Sequence, residues 1–288
     1  MKYLIHIILL ISVSVAIDIL SIQLPENVKS LYYNGYSIAS KDNHAINPSS
    51  LSSCKDSYFE FSNNQWLFDI SGSYFSYINN NLMFSSYHWG VDGIDFYDDV
   101  PSSSPLYTFG SKTYFLGLAQ GFSDKSNNHH FGYSVKYSYM KLLEYENKGL
   151  VLDLGYRFDL SPLSSFALAI NNINTGFKDD DQLPQIAVVG ASQKIENIPI
   201  TLNFDVFFEY QKSEYEHKKG SGSYQGIAYN NQYFDFIMSH CYYSESDESD
   251  IALGLKFLWK NLGFSVSTLI KENDSIGTPI FYQLSYHF

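Results

Sequence analysis

Beyond its first sixteen residues this chain has no apolar run near the ~20 residues that a membrane-crossing helix needs. It has only two cysteines, Cys54 and Cys241, far apart and without a zinc-ligand pattern. Small packing residues are their default role, although an exported protein permits a disulfide. Lysine and arginine number 18 against 30 acids, a formal net charge of -12. No basic patch stands out, which argues against nucleic acid as a partner. No serine sits in a Gly-x-Ser-x-Gly elbow. The pair His129-His130 follows Asn127-Asn128 and reads as a solvated loop. Neighbouring residues on a strand point in opposite directions, so the pair does not share a metal. The acidic runs DFYDDV (95–100), KDDDQ (178–182) and SESDESD (244–250) lack the ordered spacing of a calcium loop. They read as surface loops kept soluble by charge. The expectation is a protein with no catalytic residues, no cofactor and no metal.

What the chain does have is aromatic residues and a rhythm. Aromatics make up 17%, with Tyr 25 and Phe 22, yet the mean hydropathy is only -0.17. Apolar residues are therefore interleaved with polar ones. In GLVLDLGYRFDL the apolar set Leu152, Leu154, Tyr156, Phe158 and Leu160 alternates with Val151, Asp153, Gly155, Arg157 and Asp159. TLNFDVFFEY repeats the pattern, with Leu202, Phe204, Val206, Phe208 and Tyr210 against Asn203, Asp205 and Glu209. Period two over this length marks strands long enough to cross a bilayer at a tilt.

The connections alternate as well. Short turns at Asn79-Asn80, Ser161-Pro162, Asn197, Asn230-Asn231 and Lys260-Asn261 exchange with longer polar loops. That is the habit of outer-membrane barrels, with short periplasmic turns and longer outer loops. About fourteen antiparallel strands are predicted, near 57–62, 65–77, 80–91, 109–122, 130–143, 149–160, 163–174, 184–195, 198–210, 222–230, 233–243, 249–259, 261–271 and 278–288. Asn63-Asn64 is read as the first turn. An exported β-sandwich would also alternate, but it explains neither so many strands nor the near absence of helix after residue 56.

The first residues read as an export signal over 1–16. Lys2 precedes the apolar YLIHIILLISVSVA, and Ser14-Val15-Ala16 is a small-x-small cleavage site. Residues 17–55 show no long alternation, and 56–288 form the barrel. Within the leader, GYSIASKDNHAINPSSLS resembles the N-terminal motif of the PorV/PorQ-type outer-membrane proteins, a family related in fold to the FadL fatty-acid transport barrels. The matching positions are Gly35, Ala39, Asp42, Ala45, Asn47, Pro48, Ser49 and Leu51. One glycine stands where the family has several. GYSVKYSYMKLLEYENKGLVLDLGYRF (132–158), ALAINNINTGFKDDDQLPQIAVVGASQKI (167–195) and PITLNFDV (199–206) resemble later strands of the family in order. The resemblance implies that 17–55 is a plug inside a roughly fourteen-stranded barrel.

Charges on the polar side of their strands, Asp153, Arg157, Asp159, Asp205, Glu209 and Lys256, belong in the lumen, because a lipid face would penalise them. They either hold the plug or merely hydrate the lumen. The tail FYQLSYHF places Tyr282, Leu284, Tyr286 and Phe288 on one face. Its Tyr286 and Phe288 resemble the signal read by the barrel-insertion machinery. The resemblance implies a location in the cell outer membrane and a role in type IX protein secretion or surface attachment. Secretion-system components and exported cargo proteins would then join membrane lipid and the insertion machinery as partners. The alternatives are a FadL-like channel for hydrophobic small molecules and a surface protein whose acidic loops bind an external partner.

Overall fold

The computed structural model describes residues 24–66, 69–97, 104–177, 183–211, 218–271 and 278–288. The export signal and the start of the mature chain lie outside these residues, as do acidic run 178–182 and the end of run 95–100.

Fourteen strands form one closed antiparallel barrel. They are β1 Ser57–Gln65, β2 Ser71–Asn79, β3 Leu82–Phe96, β4 Tyr107–Ser123, β5 His129–Leu142, β6 Tyr145–Ser161, β7 Ser164–Thr175, β8 Gln185–Lys194, β9 Ile200–Gln211, β10 Lys218–Asn230, β11 Phe234–Tyr243, β12 Glu248–Trp259, β13 Leu262–Lys271 and β14 Ile280–His287. Each strand pairs with its sequence neighbours, and β14 closes on β1 with Tyr58 opposite His287 and Gln65 opposite Ile280. Closure leaves no unpaired strand edge, the condition for a sheet to stand in lipid.

The expected strand count holds. Two local readings are corrected. Asn63-Asn64 is not a turn: both residues lie within β1, paired with Tyr282 and Phe281 of β14, and the connection falls at 66–70. His129-His130 is not a loop but the start of β5.

The side chains are sorted by parity. Outward positions carry exposed apolar residues on every side of the barrel, among them Phe61, Leu118, Phe131, Leu168, Phe204, Phe257 and Leu284. Many inward positions are small and polar, with Ser62, Ser76, Ser111, Ser138, Ser239 and Ser285 all buried, and the others include aromatic rings such as Tyr74, Trp89 and Phe281. This inverts the soluble arrangement and is that of a membrane-spanning barrel. Among the described residues no helix is long and apolar enough to cross a membrane.

At one end the connections are mostly tight. Asn80, Asn197 and Lys260 take left-handed backbone angles there (φ 54°, 63° and 53°), a conformation to which asparagine is best suited after glycine. The other end carries the connections that follow β3, β7, β9, β11 and β13. We call these the turn end and the loop end. The register shifts at three places, between Val91 and Ile94 in β3, opposite Asp153 where β6 meets β7, and between Asp159 and Ser161 of the same pair. Asn172 sits at the second shift with φ 63°, and its backbone N–H donates to the Asp153 carboxylate at 2.9 Å.

Candidate functional site

Residues 24–56 lie inside the barrel and form the centre of its hydrophobic core. Leu24, Val28, Leu31, Tyr32, Tyr33, Tyr36 and Ile38 pack with wall residues that include Tyr74, Tyr87, Trp89, Phe115, Phe207 and Phe281. Two short helical pieces organise the segment. Helix α1, Val28–Tyr32, begins with a reciprocal cap: the Ser30 backbone N–H donates to Asn27 Oδ1, and the Asn27 N–H donates to Ser30 Oγ, both at 2.9 Å. It ends where Asn34 and Gly35 turn left-handed (φ 53° and 75°), and the Gly35 N–H donates to the Ser30 carbonyl at 2.8 Å. Glycine meets the angle without a Cβ penalty.

The second piece is the 3-10 helix Pro48–Ser53. Asn47 caps it, accepting from the Ser49 N–H at 3.1 Å and from Ser49 Oγ at 2.7 Å. The Asn47 amide also donates to the Ile38 carbonyl at 2.7 Å, tying the two halves of the plug together. Pro48 at the first helical position lacks only an N–H that would have been orphaned anyway. Leu51 is fully buried with Tyr58, Ile78, Met83 and Ala119. The helix lies directly on three wall glycines. A Cβ on Gly121 would overlap Ser52 and Leu51, one on Gly132 the Pro48-Ser49 backbone, and one on Gly155 the Asn47 side chain.

Polar contacts tie the plug to many strands. Lys29 pairs with Glu60 of β1 at 2.8 Å, both buried. Burial works against the Lys29 charge more than any single neighbour favours it, but the Glu60 and Asp42 carboxylates together hold the ammonium above its ordinary pKa. Removing one member of such a buried pair costs about 3–5 kcal/mol. Lys136 of β5 bridges Glu26 of the plug (2.6 Å) and Asp153 of β6 (3.2 Å). Asp205 of β9, fully buried, accepts the Ile38 N–H at 3.0 Å. Ser165 and Ser239 donate to the Ala39 and Tyr32 carbonyls at 3.0 and 2.8 Å. Arg157 donates to Ser53 Oγ and pairs with Asp159 at 3.0 Å, and Lys41 reaches Asp159 at 3.1 Å. His130 joins this group through Ser52 Oγ at 2.7 Å and Asp159 at 3.3 Å. His129 points the other way and stacks on Phe158.

The structure thus brings Gly35, Asn47, Pro48 and Leu51 together with Asp153, Arg157 and Asp205. Asp42 lies further out, accepting from Tyr33 Oη at 3.1 Å and from Ser40. Glu209 faces the lumen but stands beside Glu245 rather than the plug. Tyr286 and Phe288 lie outside, packed as rings on Phe59 at 5.7 and 5.8 Å. Cys54 and Cys241 are both free thiols. The Lys29–Glu60 pair and the cavity-lining Trp66 are contacts that the motifs do not single out. Inward parity on β1 is the signal that would have found Glu60.

The plug separates two cavities. The turn-end cavity, about 350 Å³, is polar and includes Ser40, Lys41, Asp42, Ser164, Lys194 and Asn203. The loop-end cavity, about 280 Å³, mixes Leu24, Tyr36, Ile46, Trp66 and Ile186 with charged residues. Strand β9 runs from one to the other: Asn203 lines the first, Asp205 holds the plug, and Glu209 lines the second. Ile38 and Tyr224, neither measurably exposed, stand between. Among the described residues no His, Cys, Asp and Glu cluster has the makings of a metal site.

No protein-family model matches the sequence, and no curated protein matches it. Solved structures do match in fold. The CymD monoaromatic hydrocarbon channel aligns over 91% of this chain and 96% of its own, with TM-score 0.62 and 10% identity. A deletion mutant of the TodX monoaromatic hydrocarbon channel aligns over 91% and 98%, with TM-score 0.64 and 10% identity. A Pseudomonas aeruginosa FadL homologue aligns over 91% and 98%, with TM-score 0.53 and 9% identity. The chain has the fold of these outer-membrane barrels, and its apolar wall is built to stand in such a membrane.

Proposed function

We propose that this protein is an outer-membrane channel of FadL-like architecture for small hydrophobic or amphipathic molecules, without enzymatic chemistry. The observation that carries the reading is the loop-end cavity, which ends on the plug and presents Trp66, Tyr36, Ile46 and Ile186 to whatever enters. Concave sites lined by aromatic and aliphatic side chains with a few placed polar groups are the usual form of small-molecule sites. Neighbours in fold that are named hydrocarbon channels support the same reading. Their barrels match nearly the whole wall, so a lumen route is the natural use of this one.

The type IX secretion reading rests on the sequence motifs around Asn47-Pro48, and these build a plug equally well for either role. A deletion strain separates the two. Lost uptake of small aromatic or aliphatic compounds with normal surface proteins supports the channel. Normal uptake with surface proteins lost to the medium moves the assignment to secretion. If both are normal while an external partner no longer binds, the acidic loops become the functional surface.

A further inference from the structure

We infer that the loop-end cavity selects neutral or cationic amphipathic molecules carrying a hydrogen-bond donor, and disfavours carboxylates. The inference rests on the channel reading and names its substrate class.

The charge of the lining comes first. Its carboxylates are Glu26, Asp153, Glu209 and Asp250, and its ammonium groups are Lys136 and Lys271. Lys136 is already committed to Glu26 and Asp153, at 2.6 and 3.2 Å. Lys271 stands cross-strand from Asp250. Glu209 forms no ion pair among the described side chains, and Glu245 stands beside it: a Cβ on Gly220 would lie 3.1 Å from Glu209 Cβ and 3.2 Å from Glu245 Oε2. The cavity therefore holds an excess of negative charge. Among the described lining residues four carboxylates stand against two lysines, of which Lys136 is already paired twice, so a bound carboxylate would meet a net negative lining, and like charges at short range repel.

An independent observation points to a donor. Asn171 is 9% exposed and lines the same cavity, and its Oδ1 has no hydrogen-bond partner. A buried acceptor left unmade is costly, so a ligand O–H or N–H that reaches it gains more than one bound in water. The aromatic lining suits a cation as well. Lys271 Nζ already stands 5.9 Å from the Trp66 ring centroid, within reach of a cation–π attraction. A volume of about 280 Å³ accommodates a molecule with one aromatic ring.

The test uses the full chain refolded in detergent and in liposomes, with four probes of one size: benzylamine, benzyl alcohol, toluene and benzoate. Binding is followed by tryptophan fluorescence and flux by liposome permeation. Benzylamine is expected to bind most tightly and benzoate at least about tenfold more weakly. Glu209→Gln or Asp250→Asn should each shrink that ratio about fivefold. Asn171→Leu should weaken benzyl alcohol and benzylamine while leaving toluene unchanged. Benzoate binding as tightly as benzylamine, or equal binding of all four, overturns the inference and leaves the channel reading in place. The expected order without any flux does the reverse. No binding of any probe overturns both.

Discussion

Ile38 donates its backbone N–H to the Asp205 carboxylate at 3.0 Å, across 167 positions of sequence. The contact joins the middle of the plug to the middle of a wall strand. Gly190 on β8 makes it possible, because a Cβ there would overlap the Asp205 carboxylate and crowd Ile38. Ser37, just before, takes φ 65°, a costly angle for a residue with a Cβ. The bond to Asp205 helps hold the chain there.

Asp205→Ala should therefore loosen the plug at the level that separates the two cavities. The expected loss is about 1–3 kcal/mol, the cost of leaving a buried backbone donor unmet. Single-channel recordings in planar bilayers should show larger or more frequent openings than the wild type. Asp205→Asn keeps an acceptor and should stay close to the wild type. Equal conductance for all three would remove Asp205 from this role.

Gly132→Ala tests the seat of the plug from the wall side. The added methyl would overlap the Pro48-Ser49 backbone, which has no flexible side chain to move aside. Overpacking of this kind costs about 1–3 kcal/mol, and limited proteolysis should cut the plug faster. Val135→Ala, on the lipid face of the same strand, serves as the control and should leave the digestion unchanged.

Much of the wall was legible because a strand with one face in lipid and one in a polar lumen must alternate. The parity that put Asp153, Arg157 and Asp205 inside follows from the pattern alone. Asn63-Asn64 misleads because asparagine favours turns, whereas here pairing with Phe281 and Tyr282 holds the chain extended. Asn64 then uses its side chain inward, donating to the Glu26 carbonyl at 2.8 Å. The plug contacts were not legible. Lys29–Glu60 and Lys136–Glu26 join residues whose approach depends on how 24–56 is threaded through the lumen, and no local period encodes that.

His44 gives the plug a pH dependence. The ring is buried, and burial, with the nearby Lys29 charge next, lowers its pKa from 6.5 to about 4. Its Nδ1 has no hydrogen-bond partner, and Cys54 Sγ lies 4.0 Å from Nε2. Lys29, Asp42 and Glu60 are the charged groups that share its pocket. A depressed pKa means that the native state holds the neutral ring. Its stabilising share is complete above pH 6.5 and is lost as the pH falls toward 4. The full difference is about 3 kcal/mol. Unfolding of the detergent-solubilised barrel should show the wild type losing stability relative to His44→Gln between pH 7 and 5. Parallel curves for the two proteins would contradict a neutral buried ring.

The seam between β1 and β14 allows stability to be separated from targeting. Tyr286 and Phe288 pack as rings on Phe59, and on each other at 5.4 Å, yet they are 37% and 68% exposed. Much of each ring therefore faces lipid, where an apolar surface gains little from being covered by protein. The seam itself is held by backbone pairing along β1 and by the Phe288 N–H, which donates to the Ser57 carbonyl at 3.0 Å. Replacing both rings by alanine should thus change refolding in detergent only slightly. If the insertion machinery reads these rings, the amount of barrel in the outer membrane of cells should fall severalfold for the same variant. A parallel loss in detergent and in cells would assign the rings to stability alone, and unchanged levels in cells would remove them as an insertion signal.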